Sequence, residues 1–444
     1  MAWDFETDSE FQGDLDWALE FVKNEVEPLD LVLDDPYDKA NETAMAIVRP
    51  LQQQVKDRRL WACHLGAELG GPGYGQLKLA LLNEILGRSR WAPTVFGCQA
   101  PDSGNAEILA HYGTAEQKER FLRPLLKGDI STCYSMTEPH AGADPALFTT
   151  SAVREGGDWV INGSKWFSSN ASVSSLFIVM AVTDAEAGPY RGMSMFLVPA
   201  GTPGLEIVRD VHVGSLGHHS THGYLRYSDV RVPADHLLGE EGGAFAVAQT
   251  RLGGGRMHHA MRTLAQVKQA FDMMCERAVS RQTRAGTLAS FQMTRERIAD
   301  SWIEMEQFRL LVLRTAWLLD KHRDYRLVRK DIAAVKVAMP KVFHDVTQRA
   351  LHLHGALGVS DEMPLTGMLI DAEVMALVDG PTEVHKETLA KDILAGYLPA
   401  AGEFPTAHLP GRRMAARQRY AELLEHAIGN DDPSPAAMVA TEGR

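Results

Sequence analysis

The sequence predicts an α+β fold that runs from an N-terminal helical domain through a central β domain to a C-terminal helical bundle. Two observations predict this order. Apolar residues recur every three or four positions in the first and last parts of the chain, which is typical of amphipathic helices. In the middle part they alternate or form short runs between glycines and prolines, which is typical of strands. With 444 residues, 45% of them hydrophobic, the chain can form two or three domains with cores of their own.

The N-terminal helical domain is predicted over residues 1–128. An amphipathic helix is expected at 14–27 and a leucine-rich helix at 76–86. Another helix begins after Thr114, which forms a capping-box pattern with Gln117 three positions later.

The central β domain is predicted over residues 129–240. One strand runs into Asn162-Gly163, a dipeptide that favours a tight hairpin turn, so we expect the chain to reverse there. Three further strands are predicted, at 176–182, 193–198 and 225–232.

The C-terminal bundle is predicted over residues 241–398 and is followed by an extension, 399–444. The triplet Gly253-Gly254-Gly255 indicates a turn that opens a long helix, with Arg256 at the helix start. Further helices are expected at 291–321, 328–357, 382–395 and, in the extension, 412–427.

Bulk composition excludes several classes of function. The net charge of −13 argues against nucleic acid or an anionic membrane as the main partner. No apolar run is long enough for a transmembrane segment, and the acidic first residues resemble neither a signal nor a transit peptide. The four cysteines lack metal-ligand spacing, so we expect reduced thiols, no metal site and a cytoplasmic location.

Two segments of the β domain predict a site for a flat, phosphate-bearing cofactor. The first, Thr132 to Asp144, ends in the small-residue turn Ala141-Gly142-Ala143, where backbone N–H groups can approach a phosphate closely. The second, Trp166 to Asn170, is a strand end that carries aromatic rings and hydroxyls. Together they form a platform suited to one planar ring system.

These segments, TEPHAGAD (137–144) and KWFSSN (165–170), resemble the flavin-binding strands of the acyl-CoA dehydrogenase family. The resemblance runs in order over roughly residues 1–398. It is closest to the branch typified by mammalian acyl-CoA dehydrogenase family members ten and eleven, through APDSGN (100–105), RLGGGRMHHAMRT (251–263) and DGPTEVH (379–385). The resemblance implies a C-terminal four-helix bundle and an FAD-dependent enzyme that oxidises an acyl-CoA thioester to trans-2-enoyl-CoA.

The resemblance also assigns cofactor-binding residues. Along the flavin ring it implies Tyr134, Met136, Thr137, Trp166, Phe167 and Ser168, and at the pyrophosphate Gly142 and Ala143. Residues that reach the FAD of a neighbouring subunit are Arg281, Thr283 and Gln292. The remaining contacts are assigned to His352, Gly355, Ala356, Thr382 and Glu383.

Asp379 is the expected catalytic base. Removal of two hydrogens beside a thioester requires a carboxylate for the α proton, a flavin for the β hydride and donors for the thioester oxygen. The resemblance places the base at Asp379, and Gly380 lets the substrate lie close to the backbone. From the residues alone, Asp379 could instead cap the helix that follows.

The segment from Gly253 to His259 is the expected substrate site. The three glycines and Arg256 match positions near the thioester, and a helix start with an arginine favours an anion. The branch resemblance implies a 4-phosphoacyl-CoA substrate derived from a 4-hydroxy acid, with Arg256, His258 and His259 as phosphate ligands. The alternative is that Arg256 pairs structurally and the histidines face neighbouring helices.

The family resemblance implies an electron-transfer flavoprotein as electron acceptor and a homodimer or homotetramer, since FAD bridges subunits in this family. Two other functions remain open at this stage. The same architecture serves flavin-dependent oxidases and monooxygenases, and a non-catalytic acyl-CoA-binding or scaffold protein could keep the fold.

Overall fold

The computed structural model describes residues 7–67, 71–213 and 221–429. Described residues up to 390 form one compact unit, and those from 391 onward form a second. The acidic first six residues and positions 430–444 of the predicted extension lie outside the described residues.

The N-terminal part is helical, as predicted. The first helix starts at Ser9, earlier than expected, because Asp8 accepts the N–H of Phe11 at 2.9 Å and caps it. The capping box is confirmed, with Thr114 and Gln117 bonded in both directions. The helices are α1 Ser9–Phe21, α2 Glu42–Asp57, α3 Gly75–Leu86, α4 Ala92–Val95, α5 Asp102–Tyr112, α6 Ala115–Gln117 and α7 Arg123–Lys127.

The middle part forms one mixed sheet. The strands are β1 Thr132–Ser135, β2 Ser151–Glu155, β3 Asp158–Ser169, β4 Leu176–Val182, β5 Met193–Pro199, β6 Leu205–His212, β7 Thr221–Pro233 and β8 Leu237–Leu238. Their order in the sheet is β6-β7-β3-β2-β4-β5-β8, and β1 pairs in parallel with β4.

The predicted turn at Asn162-Gly163 is wrong. Both residues lie inside β3, and the chain reverses between β2 and β3 near Gly156, which has a φ of 65°. Gly163 is required for a different reason, because a Cβ there would lie 2.5 Å from Oγ1 of Thr150. The glycine marks a close backbone approach and a register shift within the sheet.

The C-terminal part is a bundle in which α10 packs against α8, α9 and α11. The predicted turn at Gly253-Gly254-Gly255 is wrong, because α8 passes through all three glycines without a break, and Arg256 lies in its interior. The elements are α8 Ala244–Ser280, a short hairpin of β9 Gln282–Thr283 and β10 Gly286–Thr287, α9 Gln292–His322, α10 Arg329–His354, α11 Leu365–Leu377 and α12 Thr382–Leu394.

The second unit contains the end of α12 and two short helices. The single helix predicted at 412–427 is instead α13 Leu409–Arg419 and α14 Ala421–Gly429, which Tyr420 separates.

Helix α8 joins the cores of the first unit. Its middle, around Met257 and Met261, shares a core with helices of the N-terminal part, while its start at Ala244 packs in a core with β4 and β5. Among the described residues, no helix is long and apolar enough to cross a membrane, and no cluster of metal-binding side chains occurs. All four cysteines are free thiols.

A buried ion pair ties the two predicted cofactor segments together. Nζ of Lys165 lies 2.9 Å from Oε1 of Glu138, and both side chains are at most 1% exposed. Lys165 also donates to the carbonyl of Met136, and Thr149 and Thr150 donate their N–H groups to the carboxylate. Burial alone would raise the pKa of Glu138, but Lys165 and these donors lower it to about 2.

We expect Glu138→Gln to lower the free energy of unfolding by about 3 kcal/mol, because it leaves the ammonium of Lys165 buried without a counter-charge. Urea unfolding at pH 7 measures the loss. The Glu138 carboxylate stabilises the native state fully above its unfolded pKa, so the wild-type advantage should disappear as the pH falls from about 4.3 towards 2.

The matched control is Glu155→Gln, which breaks the exposed ion pair between Glu155 and Arg231. It should leave the unfolding midpoint unchanged within error. Equal losses for the two variants would contradict a structural role for the buried pair.

Candidate active site

The predicted base lies at a cleft between the N-terminal and C-terminal helices of the first unit. The loop between α11 and α12 carries Asp379, and α5 and α8 form the facing walls. The polar side chains that line the cleft are Ser103, Arg251, His258, His259, Arg262 and Asp379.

The three glycines inside α8 leave room for side chains from other parts of the fold to pack against the helix. A Cβ at Gly255 would lie 2.9 Å from Oδ2 of Asp379, and one at Gly254 would lie 2.8 Å from Oε2 of Glu107. A Cβ at Gly253 would lie 3.1 Å from the ring of Tyr325. The triplet therefore serves close packing of the base against the helix, and not a turn.

Side chains from two helices, α8 and α12, fix the main chain at Asp379. Its carbonyl oxygen accepts Nε of Arg256 at 2.9 Å and lies 3.2 Å from Nε2 of His385. Asp379 has a φ of 53°, a left-handed conformation that is uncommon for an aspartate. Gly380 follows with a φ of 101°, and a Cβ there would lie 3.0 Å from Nε2 of His385. These contacts hold a strained loop in one place.

The carboxylate of Asp379 is 15% exposed and faces a neutral imidazole. Nε2 of His259 lies 3.6 Å from Oδ2. Burial lowers the pKa of His259, although Asp379 opposes this, so the ring is uncharged near neutral pH. Burial also lowers the pKa of Arg256, which still keeps its charge.

His258 is a buried imidazole whose Nε2 has no hydrogen-bond partner among the described residues. Burial, with Arg262 and His64 nearby, lowers its pKa well below the usual value. The His64 ring meets it edge-on at 6.2 Å. Arg262 is held by Oδ1 of Asn83 at 2.9 Å and by the carbonyl of Cys98. This end of the cleft combines a fixed guanidinium with an unpartnered ring nitrogen.

Arg251 is a site residue that sequence reasoning missed. Its Nε donates to Oδ1 of Asn105 at 2.9 Å, and its guanidinium lies 3.9 Å from the centre of the Tyr134 ring. Arg251 therefore links the cleft to β1. Arg251 begins the motif RLGGGR, but no local pattern distinguishes it from Arg256. The guanidinium of Arg256 bonds the main chain of the loop 378–381 that carries Asp379, here called the base loop.

The two predicted ring-binding segments lie side by side. The N–H of Trp166 donates to the carbonyl of Thr137 at 2.9 Å, and Oγ of Ser168 donates to Oγ of Ser135 at 3.2 Å. The register shifts between Lys165 and Ser168, where Phe167 adopts a φ of 49°. This irregularity turns Trp166 and Phe167 out of the sheet, with their rings 4.7 Å apart.

The turn that follows β1 suits a phosphate. Gly142 is exposed with a φ of 56°, and nothing lies within 4 Å of the position of a Cβ. Ala143 is also exposed. Beside them stand Met136 and Thr137, both half-buried at the strand end, and the buried ring of Tyr134. Rings, hydroxyls and an open small-residue turn in this order fit a flavin with its pyrophosphate.

The other predicted cofactor residues lie at the surface of the chain. Arg281 and Thr283 are exposed at the end of α8 and in β9, and Gln292 begins α9. His352 lies in the last turn of α10, and Gly355 and Ala356 follow the helix; all three are exposed. Thr382 and Glu383 open α12, where Oγ1 of Thr382 donates to the carbonyl of Ala376 at 3.3 Å. Their roles stay predictions.

Comparison with known proteins agrees with this geometry. The chain matches models of the acyl-CoA dehydrogenase N-terminal domain at 14–129, middle domain at 133–230 and C-terminal domain at 242–394. It is 42% identical to the probable acyl-CoA dehydrogenase FadE2 of Mycobacterium tuberculosis over 79% of this chain and 86% of that protein.

Two further relatives extend the comparison. The chain is 38% identical to acyl-CoA dehydrogenase family member 11 of Gallus gallus over 84% of this chain, but it spans only 49% of that protein. The solved structure of a putative acyl-CoA dehydrogenase from Mycobacterium abscessus is 36% identical, covers 88% of this chain and all of that one, and has a TM-score of 0.81.

The matched domains cover the helical, β and helical parts in the order that the sequence predicted. The chain therefore belongs to the acyl-CoA dehydrogenase family, FAD-dependent oxidoreductases that act on CH–CH groups.

Proposed function

We propose that this chain oxidises the Cα–Cβ bond of an acyl-CoA thioester, with Asp379 as the base that takes the α proton. The observation that carries the proposal is the position of its carboxylate at the cleft, pressed against Gly255 and held by a fixed main chain. When bound, the flavin supplies the acceptor for the β hydride. The chain's own residues bind the thioester, hold the base and exclude water.

The surroundings of the base suit proton abstraction. The imidazole of His259 lies 3.6 Å from the carboxylate, and the Arg256 guanidinium is directed to the carbonyl of Asp379. Gly380 leaves room for the thioester beside the loop, where the N–H of Asp379 is the proposed donor to its oxygen. Aspartate is shorter than the glutamate that is usual in the family. Because Gly255 has no side chain, the loop can lie close to α8, and the gap between the Asp379 carboxylate and the substrate stays small.

The proposed substrate is a 4-phosphoacyl-CoA derived from a 4-hydroxy acid. The cleft that holds Asp379 is also lined by Arg251, Arg262 and His258. A phosphate a few carbons from the thioester would find two guanidinium groups and an imidazole there. In this proposal Arg251 and Arg262 replace Arg256 as the arginine ligands, while His258 and His259 keep the role first expected of them.

Electrons are proposed to pass to an electron-transfer flavoprotein, and the active form is proposed to be a homodimer or homotetramer. The exposed positions of Arg281, Thr283 and Gln292 support a cofactor shared between copies. Size-exclusion chromatography with light scattering tests this, and a monomer that retains full FAD would contradict it.

Asp379→Asn tests the base. The neutral amide cannot accept the α proton, so we expect the rate of flavin reduction by acyl-CoA to fall about 10³-fold in anaerobic stopped-flow experiments. The flavin content should stay at the wild-type level. An Asn variant that reduces its flavin at the wild-type rate would contradict the role, and rapid reoxidation of reduced wild-type flavin by oxygen would favour an oxidase.

Gly255→Ala tests the close approach of the base. The added methyl group must displace the carboxylate, so we predict a loss of about 100-fold in kcat with little change in stability. The control is Gly367→Ala in α11, where a Cβ meets nothing within 4 Å. The control should keep full activity; an equally active Gly255→Ala enzyme would show that the contact does not matter.

Arg262→Met tests the phosphate subsite. Loss of a charged donor should lower kcat/KM for a 4-phosphoacyl-CoA by about 10-fold to 100-fold. The same measurement with an unsubstituted acyl-CoA of equal length should change far less. The matched control is Arg226→Met, which removes an exposed arginine of β7 paired with Glu206. Equal losses for both substrates in Arg262→Met would count against the phosphate.

A further inference from the structure

Lys336 is a fully buried lysine on α10 that the proposed mechanism leaves unused. Its side chain has no exposure, and no carboxylate lies within 4 Å of its ammonium in the described part of the chain. The ammonium donates to the carbonyl of Met375. Burial of a cation without a close counter-ion is costly, so a lysine here requires a reason beyond packing.

Met375 lies in the last turn of α11, four residues before Asp379. The carbonyl groups of a last helical turn lack partners within the helix, and a cation is favoured at this end. Lys336 takes one of these carbonyls, and Thr382 takes the next, that of Ala376, at 3.3 Å. The carbonyl of Asp379 itself is held by Arg256. Side chains from α10 and α12 thus hold two carbonyls at the end of α11, and a side chain from α8 holds the carbonyl of Asp379 in the loop that follows.

The charge of Lys336 also interacts with Asp379, the proposed base, and with its neighbour Arg256. Burial lowers the pKa of Lys336 to about 8, an effect that Asp379 opposes and Arg256 reinforces. Lys336 in turn contributes to lowering the pKa of His259 and of His385. The titratable groups that face Lys336 are therefore Arg256 and His259 on α8, Asp379 on the loop and His385 on α12.

We propose that Lys336 is a positioning residue for Asp379: by holding the carbonyl of Met375 at the end of α11 and carrying a positive charge near the loop that follows, it fixes the carboxylate at the cleft. The proposal rests on the proposed role of Asp379 as base, and it adds a residue that does not touch the substrate.

Lys336→Met tests the proposal because methionine fills the same space without a donor or a charge. We expect the variant to fold and to bind FAD and the enoyl-CoA product as the wild type does. Its rate of flavin reduction by acyl-CoA should fall about 100-fold, as expected for a displaced base. The control is Thr347→Val on the same helix, which removes a buried hydroxyl that has no partner among the described residues. The control should keep the wild-type rate.

The pH profile separates positioning from a merely structural role. In the wild type the reduction rate should fall as the pH rises through about 8, because Lys336 loses its charge there. This alkaline limb should be absent in Lys336→Met. Lys336→Gln, which keeps a donor but no charge, should recover part of the rate and also lack the limb. If Lys336→Met does not fold, the Gln variant carries the test.

A Met or Gln variant with the wild-type rate and an unchanged alkaline limb would overturn the proposal. So would a loss of rate that matches the loss of bound FAD. If Asp379→Asn itself reduces its flavin at the wild-type rate, the proposed function fails first; if only the Lys336 variants behave as wild type, this inference alone fails.

Discussion

The active-site region depends on the absence of side chains at three consecutive positions of α8. At Gly253, Gly254 and Gly255 the helix surface carries no side chains, and three side chains from other elements pack against it. Tyr325 and Glu107 meet there and share a hydrogen bond of 3.2 Å, and Asp379 packs one residue further along. A methyl group at any of these positions would push one of these groups away. Glycine destabilises a helix interior relative to alanine. In α8 this loss of helix stability accompanies the close contact with the three side chains.

Both ends of the proposed site are fixed by a buried lysine. At the proposed flavin-binding strands, Lys165 pairs with Glu138 and holds the turn after β1 against β3. At the base loop, Lys336 donates to the end of α11. The two sites differ in one respect: Lys165 has a carboxylate at 2.9 Å, whereas Lys336 has a carbonyl and more distant charges. Burial lowers the pKa of both lysines to about 8.

Local signals in the sequence predicted local structure well. The capping box at Thr114 depends on residues three apart, and the strand at 176–182 is one continuous apolar run; both occur as expected. The turns at Gly163 and at Gly253–Gly255 were wrong for one reason. A glycine can mark a turn or a close contact with a distant residue, and only the tertiary structure distinguishes the two.

The site was predicted in part. The family resemblance identified Asp379, His258 and His259 as candidate site residues, and in the structure all three line one cleft. The roles of Arg251 and Arg262 could not be read from the sequence, because their partners Asn105 and Asn83 lie more than a hundred positions away. The position of Lys336 beneath the base loop likewise depends on how α10 packs against α11.

In the proposed reaction, the carboxylate of Asp379 removes the α proton of a bound acyl-CoA. The most direct test uses an acyl-CoA deuterated at Cα and measures by mass spectrometry, under anaerobic conditions, the deuterium that is released to water. We expect release by the wild type and none above background by Asp379→Asn with equal FAD and equal bound substrate. Release by the Asn variant at the wild-type rate would show that another group is the base.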